Sequence, residues 1–257
     1  MYMQKQRLDG QIALVTGANR GIGRHTANAL AEAGAHVILT GRSEEMLGQA
    51  ADELRSLGHK ADIRVLDVTD SAATNDVADW ANKDIGDVDI LIANAGIAWP
   101  STNAEDMPDE TWLKVIDVNL NGCFWSCRAF GKYMLGRQKG SIVTVGSMSG
   151  FVSNKPQNQA QYNASKAAMH HMTKSLAGEW ADRGVRVNAV APTYVDTEMS
   201  NVAILDPKNA VPWMEGTPMK RMIGPEEVAS VNLFLASEAA SGMTGSVVLV
   251  DAGYTIW

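Results

Sequence analysis

Short runs of branched apolar residues recur along this chain at a spacing that one class of fold uses. They stand at residues 12–15, 37–39, 63–66, 90–93, 142–145, 185–190 and 247–250. Each is rich in Val and Ile and too continuous for a strand wetted on one face, so each predicts a strand buried on both sides. Longer stretches of helical period lie between them. Residues 22–33 form the first and stop at Gly34, a helix C-terminal glycine. Ser43 caps the next, with Glu44 and Glu45 complementing its dipole and Gly58 near its end. Gly224-Pro225-Glu226-Glu227 opens a late helix, with proline in its first turn. Seven strands alternating with helices predict an α/β fold, a doubly wound seven-stranded parallel sheet with helices on both faces. No repeat, linker or low-complexity segment interrupts the pattern, so residues 1–257 are expected to form one domain. Residues 193–223 fit neither period and carry Met199, Trp213, Met214, Met219 and Met222 among Pro207, Pro212 and Pro218. They follow the sixth strand at the end where such sheets bind ligands, so an irregular substrate lid is expected there.

Composition narrows the function classes. The 257 residues are 46 % hydrophobic and 20 % charged, with a formal charge of −7. That is enough apolar material for a sizeable core. The negative charge argues against nucleic-acid and anionic-membrane partners, which require a positive field. Residues 1–9 are polar rather than signal-like, and no apolar run approaches the ~20 residues that span a bilayer. The only cysteines, Cys123 and Cys127, lie four apart on an expected helix and read as small buried hydrophobes. With no disulfide framework, a reducing cytoplasm fits. His25, His36, His59, His170 and His171 form no metal-ligand pattern, so no metal is expected.

Two constellations carry chemistry. The first strand runs into Thr16-Gly17-Ala18-Asn19-Arg20-Gly21-Ile22-Gly23 and then directly into a helix. Glycines there let the backbone turn tightly and approach a pyrophosphate, while free amides at the helix start face its charge. The second is Tyr162-Asn163-Ala164-Ser165-Lys166, within a stretch of helical period reaching residue 183. Four residues place both side chains on one face. A free phenol, of pKa about 10, is about one-thousandth ionised at pH 7, and a neighbouring ammonium favours the phenolate. Such a pair is expected to act as a general acid–base near neutrality.

Further motifs follow the same order as in the short-chain dehydrogenase/reductase family, which the sequence resembles over nearly its whole length. The glycine segment resembles that family's cofactor loop in a Rossmann-type domain. Asp67-Val68 resembles the pair beside the adenine, and Asn94-Ala95-Gly96 the motif after the fourth strand. Asn119, in Asp117-Val118-Asn119-Leu120-Asn121-Gly122, matches the catalytic asparagine that interrupts a helix. Gly146-Ser147-Met148-Ser149-Gly150 matches the serine segment, with Ser147 aligned and Ser149 the second candidate. Tyr162 and Lys166 complete the tetrad. The resemblance implies cofactor contacts from Gly17, Asn19, Arg20, Gly21, Ile22, Gly23, Arg42, Asp67, Val68, Asn94, Ala95, Gly96, Tyr162, Lys166, Pro192, Val195 and Thr197. It also implies a water held by Asn119 and a homotetramer. Pro192-Thr193 stands where the family usually has Pro-Gly, and 15 residues separate Ser147 from Tyr162, about two more than is common there.

The second strand ends in Gly41-Arg42, with no acid where NAD-type members carry Asp. An acid there bonds ribose hydroxyls, whereas Arg42, with Arg20, welcomes a 2′-phosphate, so NADP(H) is expected, with NAD(H) the alternative. Glu44 and Glu45 are competitors for Arg42. Between Ser147 and Tyr162, residues 151–161 hold five amides in eleven residues, which are either the donors and acceptors of a polyol pocket or a solvated loop whose amides meet only water. This segment and the ending 251–257 resemble the family's sugar-alcohol dehydrogenases. Ser149, Asn154 and Gln157 are the candidate substrate residues. Trp99 either stacks on a sugar face or belongs to the core. The expected reaction is hydride transfer between nicotinamide and a secondary alcohol or ketone, of a sugar alcohol or ketose. A 3-oxoacyl-thioester reductase shares the tetrad and is the alternative. A non-catalytic dinucleotide sensor would need no Tyr/Lys/Ser/Asn set. The apolar end, residues 254–257, is expected at a subunit contact.

Overall fold

The computed structural model describes residues 1–198, 200 and 205–256. The strands are β1 (Ile12–Thr16), β2 (His36–Gly41), β3 (Ala61–Val65), β4 (Val88–Ala93), β5 (Gly140–Val145), β6 (Val185–Pro192) and β7 (Val247–Val250). They form one sheet in the order β3-β2-β1-β4-β5-β6-β7, parallel throughout. The helices are α1 (Gly21–Glu32), α2 (Glu44–Ser56), α3 (Ser71–Trp80), α4 (Asp109–Ile116), α5 (Gly122–Arg137), α6 (Ala160–Trp180), α7 (Pro207–Gly216) and α8 (Pro225–Ala236).

Alternate residues of each central strand enter different cores. Ala13, Val15, Val37, Leu39, Ile90, Ile92 and Val143 pack against Ala27 and Leu30 of α1, Leu47 of α2 and Leu235 of α8. Leu14, Ile38, Leu91, Ala93 and Ile142 pack on the other side against Val77 of α3, Phe130 and Met134 of α5 and Met169 of α6. Both faces are thus covered by helices, which explains why these strands read as unbroken apolar runs. The edge strands depart from the expectation of full burial. Val65 at the end of β3 is 49 % exposed and Leu249 in β7 is 41 % exposed, because an edge has helical cover on only part of its length.

Helix caps follow the sequence. Ser43 accepts a hydrogen bond from Met46 N, and Asp70 accepts one from Ala73 N to start α3. A second correction concerns residues 193–223. The expected irregular stretch contains α7, capped by Asp206 with Pro207 in its first turn, and Pro212 lies inside it. Pro212 lowered the helical signal, but only its missing N–H and ring had to be accommodated in a short helix. Met199, also assigned to the lid, lies outside the described residues. The order of strands reverses between β1, which continues outward to β2, and β4, which begins the opposite half. The carboxyl ends of β1 and β4 therefore flank the crevice where such sheets bind ligands.

Candidate active site

The glycine loop is built to leave room. Gly17 and Gly21 have positive φ, +65° and +53°, which L side chains rarely adopt. A Cβ on Gly23 would strike the Gly17 carbonyl and Asn94 Nδ2, while one on Gly17 would lie 3.0 Å from Ala95 Cα. Asn94 explains the closeness. Its Nδ2 donates to the carbonyls of Thr16, 2.9 Å, and Gly17, 3.2 Å. Thr16 Oγ1 in turn accepts from the backbone N–H groups of Asn94 and Ala95, both at 3.0 Å. The Asn94 side chain therefore braces the loop, a bracing role distinct from the cofactor contact expected of it. A small-residue cradle at the start of α1, with open helix amides, fits the pyrophosphate of a dinucleotide. Thr197 borders the same cradle, its methyl 3.4 Å from where a Gly21 Cβ would stand. Val195, buried, forms a parallel bridge with Ile223 and fixes the chain after β6 against the entry to α8.

Tyr162, Lys166 and His170 form one stripe along α6. The Tyr162 hydroxyl lies near enough to Ser147, just past β5, for that side chain to favour the phenolate. Lys166 is buried, and its Nζ donates to the Val145 carbonyl at 2.8 Å. Gly96, after β4, lies close by, so that a Cβ there would be 3.6 Å from Lys166 Nζ and 3.4 Å from Asn119 Oδ1. The four expected tetrad residues, the glycine cradle and Asn94-Ala95-Gly96 thus converge on one cleft.

Electrostatics correct one expectation. Burial pushes the Tyr162 phenol above its ordinary value of 10, and the Ser147 hydrogen bond only partly opposes it. Burial lowers Lys166 to about 8, with Cys123 opposing the shift. In this arrangement desolvation outweighs the pull of the ammonium that the spacing suggested. Cys123 and Cys127 are both buried free thiols, as expected, and Cys127 is pushed up by its hydrogen bond to Cys123 and by burial.

Asn119 sits in a π-helical turn, Asp117–Asn121, that joins α4 to α5. Its Oδ1 accepts from Ile97 N at 2.8 Å, and its Nδ2 donates to Ile97 O at 3.0 Å and Ser165 Oγ at 3.1 Å. The side chain braces the loop after β4 against α6.

Ser147 Oγ accepts from Ser149 N and bonds Ser149 Oγ, both at 3.1 Å, and lies 3.5 Å from the Pro192 carbonyl. Ser149 is therefore the supporting hydroxyl, and Ser147 the one that meets Tyr162. Beside them the amides Asn154 and Gln161 are buried and Gln157 and Gln159 partly so, while Asn158 is exposed. Gln159 Nε2 donates to Asn154 Oδ1 at 2.9 Å and to Asn163 Oδ1 at 3.0 Å. Asn154 and Gln157 both donate to the Tyr194 hydroxyl. Gln157 Oε1 accepts from Trp213 Nε1 at 2.9 Å, and Trp213 stacks on Tyr194 with ring centres 3.9 Å apart. Gln157 thereby ties α7 to the segment between Ser147 and Tyr162. Burial raises the Tyr194 phenol. Tyr194 and Gln159 escaped the sequence reading, because only the fold brings them onto Asn154 and Gln157. Trp99 is 37 % exposed, with Lys114 Nζ 5.6 Å above its ring, so it is not core.

At the adenine side, Asp67 Oδ1 accepts from Thr69 N and Oγ1, while Val68 packs against Gly122. Burial opposes ionisation of Asp67, yet its two bonds from Thr69, with smaller pulls from the exposed Arg42 and from Lys114, hold the carboxyl below its usual range. Among the described residues Arg42 forms no ion pair, so Glu44 and Glu45 do not hold it. Arg20 pairs with Glu198 at 2.7 Å, both largely exposed. Asn19, near the end of β2, directs Nδ2 at Met46 Sδ, 3.6 Å away. Among the described residues no helix is long and apolar enough to cross a membrane.

Known proteins share this architecture. A family model described as enoyl-(acyl carrier protein) reductase matches residues 17–255. Galactitol 2-dehydrogenase of Rhizobium johnstonii is 52 % identical over 100 % of this chain and 99 % of its own length. Galactitol 2-dehydrogenase (L-tagatose-forming) of Cereibacter sphaeroides is 47 % identical with the same coverage. The crystal structure of gox2181 superposes with a TM-score of 0.99 at 50 % identity, covering all of both chains. The chain belongs to the short-chain dehydrogenase/reductase family of oxidoreductases.

Proposed function

We propose that this chain is an NADP(H)-dependent oxidoreductase interconverting a secondary alcohol of a sugar alcohol and the corresponding ketose. The observation that carries the reading is the meeting of Ser147, Tyr162 and Lys166 beside a partly buried cluster of amides around the Tyr194 hydroxyl. A polyol presents many hydroxyls, and amides offer donors and acceptors together. The two galactitol 2-dehydrogenases support the same substrate class.

Bound cofactor would supply the hydride acceptor in oxidation and the donor in reduction. Gly17, Asn19, Arg20, Gly21, Ile22, Gly23 and Thr197 would hold its phosphates and nicotinamide end, with Ala95, Gly96, Pro192 and Val195 lining the cleft. Asp67 and Val68 would border the adenine, and Arg42 the 2′-phosphate. In oxidation Tyr162 takes the alcohol proton at its phenolic oxygen. Ser147 donates a hydrogen bond to the same substrate oxygen and stabilises its developing charge. Lys166 then relays the proton from Tyr162 outward, past Asn119. In reduction Tyr162 returns a proton to the ketone oxygen. Ser149, Asn154 and Gln157 orient the remaining hydroxyls, and Trp99 borders the mouth.

The enzyme works in the cytoplasm, as its two unpaired thiols suit, and as a homotetramer. Tyr254 packs edge-on against Tyr194, while Ile256 is 68 % exposed and available to a neighbouring subunit. Trp257 lies outside the described residues. Initial rates on a panel of polyols, ketoses and one 3-oxoacyl thioester, with NADP(H) and NAD(H), test the reading. Preference for a polyol–ketose pair with NADP(H) is expected, and preference for the thioester overturns it. Light scattering at monomer mass would remove the tetramer.

A further inference from the structure

Beyond the tetrad, one buried imidazole lies against the serine segment from below. His170 stands one helical turn past Lys166 on α6 and is nearly inaccessible. Two glycines make its slot. A Cβ on Gly146 would strike His170 Nε2, and a Cβ on Gly150 would strike its Cε1. These are the two ends of Gly146-Ser147-Met148-Ser149-Gly150, so the whole loop is draped over one ring. Phe151 closes the far side, its ring centre 4.7 Å from the imidazole. At the centre of the loop, Ser147 N donates to His170 Nε2 at 3.4 Å.

We infer that His170 is a positioning residue that fixes Ser147 at the reacting centre by accepting its backbone N–H at an unprotonated Nε2. The inference rests on the reading of Ser147 as the donor to the substrate oxygen. Hydrogen-bond accounting sets the tautomer. With the proton on Nδ1, one buried group lacks a partner among the described residues, because Nδ1 has none. With the proton on Nε2, Nδ1, the Nε2–H and the Ser147 amide it faces would all lack one, which is costlier. Charge favours the same neutral form. Burial, then Lys166 and Lys174, both on α6, lower His170 to about 4. The glycines give the loop freedom that the imidazole removes. Ser147 has extended φ and ψ of −168° and 153° and caps a short 3₁₀ turn, Met148–Gly150, that could otherwise shift. A shift of about 1 Å in a group facing the reacting atoms costs up to ~10²-fold in rate.

The tautomer is testable without turnover. Long-range ¹H–¹⁵N spectra of histidine-labelled protein near pH 7 should show a His170 protonated at Nδ1, absent from the spectrum of His170→Gln. A resonance protonated at Nε2 overturns the inference whatever the activity. The kinetic arm compares His170→Leu, which keeps bulk but accepts nothing, with His170→Gln, whose Oε1 can accept from Ser147 N. With the best substrate of the panel, the leucine variant should lose about 10-fold or more in kcat. Its NADPH affinity, read by fluorescence, should stay within about two-fold, and the glutamine variant should recover most of the rate. Equal losses in both variants, or no loss in the leucine variant, overturn it. Ser147→Ala separates the two layers. If that variant is fully active, the reading of Ser147 falls, while the tautomer still decides whether His170 holds the loop.

Discussion

The ammonium of Lys166 lies 5.6 Å from the centre of the Tyr162 ring, one helical turn along α6, with its strongest partner the Val145 carbonyl rather than the phenol. Burial has moved the two groups apart and reversed their order: the phenol, ordinarily just below the amine, is raised, while the amine falls to about 8. Passing a proton from phenol to amine therefore costs more free energy here than between the free side chains, and the positive nicotinamide of a bound oxidised cofactor would help the phenol to ionise. Tyr162→Phe keeps the ring and removes only the ionisable oxygen. Turnover should fall by ~10²-fold or more while NADPH binding, followed by fluorescence, is nearly unchanged. A variant keeping more than about a tenth of the wild-type kcat would show that another group moves the proton.

Direction and pH should be linked through the same pair. Oxidation requires the phenol without its proton, and burial has raised that phenol. kcat/KM for the alcohol should climb through pH 8 and beyond, while ketone reduction should be favoured at lower pH, where Tyr162 is protonated. Initial rates in both directions across pH 6 to about 10 check this. An oxidation rate already flat at about pH 7 would mean the phenol is not the titrating base.

Gly23→Ala probes the cradle independently of the chemistry. The added methyl meets the Gly17 carbonyl and the bracing amide of Asn94, neither of which is the free end of a flexible chain. The loop must shift, and overpacking of this kind costs about 1–3 kcal/mol. Cofactor affinity should fall by about 10-fold or more, and the melting temperature should drop. A variant that binds NADPH as the parent does would show that the loop is not the phosphate site.

Much of this was legible in the chain because the signals were local. The seven strands, the glycine turn and the Tyr162/Lys166 spacing each depend on neighbours a few residues away. The partial exposure of β3 and β7 was not legible, since apolar runs look alike at the centre and edge of a sheet. Helix α7 was hidden by Pro212. The bracing roles of Asn94 and Asn119 depend on partners 78 and 46 residues distant, and His170 meets Ser147 over 23. Such contacts are set by the crossover of parallel strands, which sequence spacing does not report. The desolvation of Tyr162 was not legible for the same reason, because burial is a property of the packed fold.

Arg42 offers the test of cofactor choice. It stands just past β2, exposed, with no ion pair among the described residues. A bidentate bond to a 2′-phosphate would have to displace no formed ion pair there, and would compete with the nearby Asp67 carboxylate. Hydrogen bonds to charged groups contribute about 1.5–3 kcal/mol, so Arg42→Ala should weaken NADP⁺ by about 10-fold to 100-fold and NAD⁺ hardly at all. Ratios of kcat/KM for the two cofactors give the answer. A wild-type preference for NAD⁺, or equal losses for both, would refute the assignment.

The buried His170 also makes acid stability predictable. Its folded pKa of about 4 lies below the ordinary 6.5, so the folded state binds fewer protons than the unfolded chain between those values. Stability contributed by the neutral ring is fully present above about 6.5 and is lost as pH falls toward 4. The depression of about 2.5 pH units corresponds to roughly 3 kcal/mol at most. His170→Gln has no proton to gain. Its unfolding free energy, measured in urea at pH 7 and pH 4.5, should fall less on acidification than that of the parent, by about 2–3 kcal/mol. The carboxylates common to both proteins cancel in this comparison. Parallel losses in parent and variant would show that His170 accepts a proton in the folded state as readily as in the unfolded one, and that its slot is open to water.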